Sequence, residues 1–390
     1  MDKICDYNEC TGCNACVQTC PKNAISMKEN EYGVPVPSIN ESECINCGLC
    51  KKVCQACEPE STNIPYKCYA VWTKNDSDRK YCSSGGLSTG MARNILSEGG
   101  MVYGAAYNKD RLELSIKVAD NLAGIEEMRG SKYVQCNTAD SYSDVKKNLD
   151  TGKKVLYVAT PCQIMGLRKF LRKDYDNLIL VDIICHGVPP FRHLTEHIKS
   201  LGKNIHEDNI TKVTFRGEHD FKFTVYEKEN IVYCVDRYSD TYFTAFLDGL
   251  NYRENCYNCK LANEKRCSDI TIGDFWGLHR DELKNKYDGR ISVALINTSK
   301  GEAFFDSIKD DFIYEEREVE EAIQGNGQLQ CPTRRHIKRD EFLRAYVENG
   351  IESAYKSAGI TKKVKINKIY NLKLFRGIRK AKRIIKKKLC

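Results

Sequence analysis

Ten of the 21 cysteines in this 390-residue chain lie in its first 57 residues, and eight of those ten fall into two copies of one spacing. Cys10, Cys13, Cys16 and Cys20 read C-x2-C-x2-C-x3-C and are followed by Pro21. Cys44, Cys47, Cys50 and Cys54 repeat the run, with Gln55 in place of the proline. Two-residue gaps let one loop offer three thiolates to three corners of an iron-sulfur cube, and the three-residue gap sends the fourth thiolate to the neighbouring cube. The spacing therefore predicts two 4Fe-4S clusters, one on Cys10, Cys13, Cys16 and Cys54, the other on Cys44, Cys47, Cys50 and Cys20. A zinc ribbon needs only four such ligands and gives no reason for the repeat. Cys5 and Cys57 fall outside both runs and read as spare thiols. Disulfides are not expected, because the N-terminus MDKICDYNEC lacks the apolar core of a signal peptide and points to a reducing, cytoplasmic setting.

Four later cysteines stand where an α/β body gathers ligands. KVLYVAT reads as a buried strand, TPCQ as a loop and IMGLRKFL as a helix; NLILVDII, CHGVPP and FRHLTEHIKSLG repeat the strand, loop and helix. If these strands are parallel neighbours, Cys162 and Cys185 both follow strand C-termini, where open α/β sheets bind ligands. Cys256 and Cys259 form a C-x2-C loop before the strand in DITIGDFWG. Together the four suffice for a third cube, with Cys267 a rival fourth ligand. On residue type alone a zinc pair or small buried thiols account for them equally. His186, beside Cys185, is a candidate for moving a proton or for a supporting hydrogen bond. Phe275 and Trp276 suit either a pocket wall or the core.

Upstream, Ser83-Ser84-Gly85-Gly86 precedes a helical pattern with Leu87, Met91 and Ile95 four residues apart. Free amides at a helix N-terminus cradle a phosphate, although the same residues also make an ordinary turn and cap. MVYGAAY and LELSIKV read as strands joined by an Asn-Lys-Asp turn. No G-x-G-x-x-G or Walker A pattern occurs, so a Rossmann or P-loop site is not expected. The fold class predicted is an α+β ferredoxin-like head over residues 1–60, a mixed α/β body with regions 65–150 and 151–335, and a helical tail over 336–390.

The segments SSGGLSTG, GGMVYGAAY, RGSKYVQ, ATPCQIMGLRKFL, NLILVDIICHGVPP, NYRENCYNCKLANEKR and SDITIGDFWG resemble, in order, the family formed by the beta subunits of coenzyme F420 hydrogenases and dehydrogenases. With the head in front, the resemblance runs to about residue 335. It implies FAD in the body, with residues 65–150 as the flavin-binding region, a 4Fe-4S cluster beside it in 151–335, and hydride exchange with an organic partner. The family's cluster cysteines carry over to Cys162, Cys185, Cys256 and Cys259, and Cys267 then drops to second choice. Its flavin contacts carry over to Ser83, Ser84, Gly85, Gly86 and Ser88, and to Ser131, Lys132 and Tyr133, with the lysine paired to a phosphate. The implied partners are a redox donor such as ferredoxin and a small-molecule acceptor, either F420 or a substrate of a surface-polysaccharide pathway; the alternative is a non-catalytic electron-transfer subunit of a larger redox complex, with no organic substrate pocket. One departure stands out: in TFRGEHDFKFTVY the lysine and tryptophan that relatives carry after Phe-Arg are missing. Cys136, after Val134-Gln135, reads as a buried thiol.

The formal charge of +8 is uneven, since residues 362–390 hold thirteen Lys and Arg and no acid, leaving −5 for the rest. Ile366, Tyr370, Leu374, Ile378, Ala381, Ile385 and Leu389 recur every three or four residues, which predicts an amphipathic basic helix. Such a helix suits an anionic membrane surface or a docking role; a nucleic-acid partner is not expected, because aromatics are sparse and no nucleic-acid fold precedes it.

Overall fold

The computed structural model describes residues 3–57, 62–202, 205–218 and 220–371. Of the tail pattern, Leu374, Ile378, Ala381, Ile385 and Leu389 lie outside the described residues; Ile366 and Tyr370 sit exposed on the helix Ile360–Asn371. Among the described residues no helix is long and apolar enough to cross a membrane.

The head is a pseudo-repeat. Each cysteine run bends through left-handed residues into a single helical turn, Ala15–Gln18 after Asn14 (φ 60°) and Leu49–Lys52 after Gly48 (φ 75°). An antiparallel hairpin, β1 (Ile25–Glu29) and β2 (Pro35–Ile39), separates the two turns, and Ile4, Ile25 and Cys50 form their small shared core.

The body is built on eight strands in one mixed sheet. The strands are β3 (Lys67–Thr73), β4 (Met101–Tyr107), β5 (Leu114–Ala119), β6 (Val155–Ala159), β7 (Leu178–Ile183), and, after a three-stranded excursion, β11 (Ile270–Asp274), β12 (Ser292–Ile296) and β13 (Phe312–Arg317), ordered β13-β3-β12-β11-β7-β6-β4-β5. The central β11-β7-β6-β4 pairs are parallel and the flanking ones antiparallel. Central strands read as unbroken apolar runs because both faces are covered. Leu87, Met91, Ile95 and Phe305 cover one face; Tyr142, Val145, Ile164 and Leu167 cover the other. Residues 65–150 and 151–335 thus share a single sheet, with β3 paired to β12 and β13, and β4 to β6.

The excursion is an antiparallel sheet, β8 (Ile210–Thr214), β9 (Lys222–Glu227) and β10 (Asn230–Asp236), packed on the helices Thr241–Leu247 and Arg339–Ser357 through an aromatic cluster that includes Phe215, Phe223, Tyr242 and Phe243. One local expectation is corrected. TPCQ is the first turn of a helix, Pro161–Leu171, and not a loop. Proline at the first helical position has no N–H to waste, and Thr160 and Gln163 close a capping box around it.

Candidate functional site

The parallel register of β6 and β7 sets the site. Val158 lies beside Val181 and Ala159 beside Asp182, so both chains leave the sheet at the same edge. Cys162 follows in the first turn of its helix, with Thr160 Oγ1 3.3 Å from its sulfur. Cys185 follows β7 in an irregular loop, and that loop is pinned from the C-x2-C side by Arg253 N–H donating to the Val188 carbonyl at 2.9 Å. Cys185 is thereby brought within electrostatic reach of Cys162, Cys256 and Cys259: burial first, then those three thiols, push its own thiol well up. Burial likewise pushes Cys162 up to about 12, with Cys259 and Cys256 adding to it. Four half-buried, mutually repelling thiols of this kind release their protons most readily to a cationic centre. Among the described residues no three His, Cys, Asp or Glu side chains close onto a single-ion geometry.

Cys267 meets this set at Cys162, within whose electrostatic reach it lies. It is buried behind Cys162, where its thiol donates to the Pro161 carbonyl at 3.4 Å. Its neighbours are Asp182 and Arg266, an ion pair at 2.8 Å in which both side chains are at most 2 % exposed.

In the head, the Cys16 thiol is raised by burial and then by Cys13, Cys10, Cys54 and Cys50, so members of both runs lie within electrostatic reach of it. Cys20, Cys44, Cys47 and Cys50 line one small cavity with Ile25 and Ile39. The Cys5 thiol lies beside those of Cys10 and Cys54. Cys57 donates to the Ile4 carbonyl at 3.2 Å.

A cavity of about 330 Å³ opens directly onto the body thiols. Cys162, Cys185 and His186 form one wall; Ser83, Ser84, Gly86, Ser88, Ser131, Lys132 and Tyr133 form another. Gly85 is the exception among the expected residues: it faces away, where a Cβ would sit 2.3 Å from the Val71 carbonyl oxygen, so only glycine lets this loop cross β3. The two serine loops are tied together by the Ser131 N–H, which donates to Ser83 Oγ at 2.6 Å. Lys132 turns its ammonium onto the carbonyls of Met128 (2.7 Å) and Arg129 (2.9 Å), at the C-terminus of the helix Leu122–Met128. Burial, with Lys212 adding to it, pushes the Lys132 ammonium down to about 7. The protein packed around His186 pushes its imidazole below the usual range, Asp274 pulling the other way. Trp276 is half exposed at the mouth, whereas Phe275 is core. Cys136 lines the cavity, and burial pushes its thiol up to about 12.

Two arginines complete the picture without having been expected. Arg216 joins the cavity's walls by donating to Asp274 at 2.8 Å, to Asp220 and to the Ser83 carbonyl. Its position in the Phe-Arg pair of β8's trailing loop was the available signal. Arg253 joins head to body, and nothing in residue spacing marks it.

The head is seated on the body by specific contacts. Gln55 Nε2 donates to the Cys162 carbonyl at 2.7 Å and to Thr11 Oγ1 at 3.1 Å. Thr138 donates to the Cys13 carbonyl at 3.1 Å, and His193 Nε2 to the Tyr32 carbonyl, also at 3.1 Å. Gly166, one turn beyond Cys162, leaves room for Cys13, whose sulfur would lie 3.0 Å from a Cβ there.

Comparison with known proteins gives two matches to family models. Residues 152–322 match the model for the C terminus of the coenzyme F420 hydrogenase/dehydrogenase beta subunit, and residues 9–56 match a 4Fe-4S dicluster domain. The chain is 21% identical over 322 residues to the F subunit of the F(420)H(2) dehydrogenase of Methanosarcina mazei, covering 79% of this chain and 85% of that protein. It is 24% identical over 326 residues to the coenzyme F420-dependent sulfite reductase of Methanocaldococcus jannaschii, covering 79% of this chain but only 47% of that enzyme. A chain of the F420-reducing NiFe hydrogenase complex from Methanosarcina barkeri superimposes with a TM-score of 0.46 at 17% identity, over 76% of this chain and 91% of that one.

Proposed function

From a chain that belongs, by residues 152–322, to the family of coenzyme F420 hydrogenase/dehydrogenase beta subunits and carries a 4Fe-4S dicluster domain ahead of it, we propose an iron-sulfur flavoprotein oxidoreductase. It passes electrons between a low-potential protein donor such as ferredoxin and an organic hydride acceptor, with three 4Fe-4S clusters and FAD as its cofactors. The observation that carries this reading is the cavity that has Cys162 and Cys185 in one wall and the two serine loops in another. When bound, the clusters supply single-electron transfer and the flavin supplies pairing of electrons into a hydride.

The chain's own residues do the rest. Ser83, Ser84, Gly86, Ser88 and Ser131 offer hydroxyls and amides for a dinucleotide, Tyr133 an aromatic wall, and Arg216 locks the Ser83 loop to the end of β11. Lys132, held on carbonyls, fixes the loop that carries Ser131 and Tyr133. His186 presents an imidazole to the same space, suited to proton exchange with an acceptor beside the flavin. The acceptor favoured by the relatives' names is F420; a polysaccharide-pathway substrate is the competing choice, favoured by the cationic tail. The cationic tail is assigned to an anionic membrane surface, which sedimentation with anionic and neutral vesicles tests.

The deciding experiment is iron, sulfide and flavin per chain after anaerobic purification. About twelve irons and one FAD are expected; about eight irons without flavin would leave only the head clusters. Reduction of F420 by the loaded chain then separates the two acceptors.

A further inference from the structure

Arg253 is 1 % exposed, and its guanidinium lies where the head meets the body. Nη2 donates to the Cys10 carbonyl at 2.8 Å and to the Pro35 carbonyl at 3.3 Å. Nη1 donates to Gln135 Oε1 at 2.6 Å and, like Nη2, to Pro35 at 3.3 Å, while Nε donates to Asn255 Oδ1 at 3.2 Å. Every partner is neutral. The other deeply buried arginines differ: Arg266 pairs with Asp182 at 2.8 Å, Arg216 with Asp274 at 2.8 Å, and Arg339 faces Glu254 at 3.7 Å. A fully buried cation with no counter-charge is too costly to keep unless something nearby carries the negative charge.

The candidates for that charge are the thiol sets on either side. Cys10 belongs to the first head set and Cys256, three residues from Arg253, to the body set. Room for the guanidinium is made in the head loop itself. At Gly12 (φ +68°) a Cβ would lie 2.4 Å from Gln135 Nε2 and 3.0 Å from Arg253 Nη1.

We propose that Arg253 is the shared counter-charge of the first head cluster and the body cluster, a positioning residue that raises both potentials together and keeps the step between them small. The inference rests on the three-cluster reading above. A cube held by four thiolates is anionic and becomes more so on reduction, so a fixed cation nearby favours its reduced form. The second head set, Cys20, Cys44, Cys47 and Cys50, lines its own small cavity with Ile25 and Ile39 and serves as an internal reference.

The test is a redox titration, followed by electron paramagnetic resonance, of the anaerobically purified full chain. In R253Q two of the three clusters are expected to become harder to reduce by tenfold or more in equilibrium constant, about 59 mV for one electron, while the third stays put. R253K, which keeps the charge and loses the fork, is expected to return both toward wild type. Unmoved potentials in R253Q, or an equal shift of all three, overturn the proposal. If R253Q loses its iron, R253K decides: both clusters at near wild-type potentials uphold the charge role, whereas loss of iron there too makes Arg253 a structural clamp. Wild-type iron near eight sinks the three-cluster reading, and the proposal with it, before any titration.

Discussion

In the head, eight thiols come from two short stretches, Cys10–Cys20 and Cys44–Cys54, and each loop carries its own instructions in residue spacing. In the body, four thiols come from three segments between Cys162 and Cys259, and they meet only because β6 and β7 end together at one sheet edge. The head's arrangement is therefore local and tolerant of change elsewhere, whereas the body's depends on the whole sheet. Damage far from any sulfur should empty the body set and spare the head.

The sharpest way to break that contrast is the pair beneath the body thiols. Asp182, the penultimate residue of β7, holds Arg266 in full burial, and removing one member of a buried pair costs about 3–5 kcal/mol. Asp182→Ala is expected to lower the urea midpoint strongly and to lose roughly four irons, one cube's worth, while the head's iron stays. Loss of head iron instead would show the two regions to be one cooperative unit.

Next in size is Gly166→Val, which forces side-chain atoms against Cys13 and the Tyr142 hydroxyl. Overpacking of this kind costs about 1–3 kcal/mol, and iron should be retained while electron exchange between head and body slows, as read by stopped-flow reduction. Gln55→Ala removes the bonds to Cys162 and Thr11 at about 1 kcal/mol. It should slow the same exchange less and leave the iron count intact. Smallest of all is Cys267→Ala: the iron count should not change, and the midpoint should move by about 1 kcal/mol for a small cavity. Loss of iron in that variant would put Cys267 back among the ligands.

The same contrast explains what could be read in advance. The strands β4, β6 and β7 stand out because parallel strands covered on both faces are continuously apolar, and their loops then place Cys162 and Cys185. The pairing of β3 with β12 and β13 links residues more than two hundred positions apart, a tertiary fact with no local period. The capping box at Thr160 turned an expected loop into a helix, because Pro161 signals a first turn as readily as a break. Gln55 was visible only as a missing proline, and its contact with Cys162 needs the docked head to exist. Arg253 was invisible for a related reason. Two of its four partners are backbone carbonyls, which every residue possesses, and the other two are neutral amides, so no charge pattern announces it. The serine loops around the cavity drew notice as a turn and took on a dinucleotide role only through family resemblance.

The way the head is seated has one more consequence. Arg253, Thr138 and His193 all grip it by main-chain carbonyls, those of Cys10, Pro35, Cys13 and Tyr32. That part of the socket reads the path of a polypeptide, while Gln55, Asn14 and Gln18 of the head meet the body through their side chains. A foreign two-cluster ferredoxin is expected to plug into this socket only if it follows the same path and carries those three side chains.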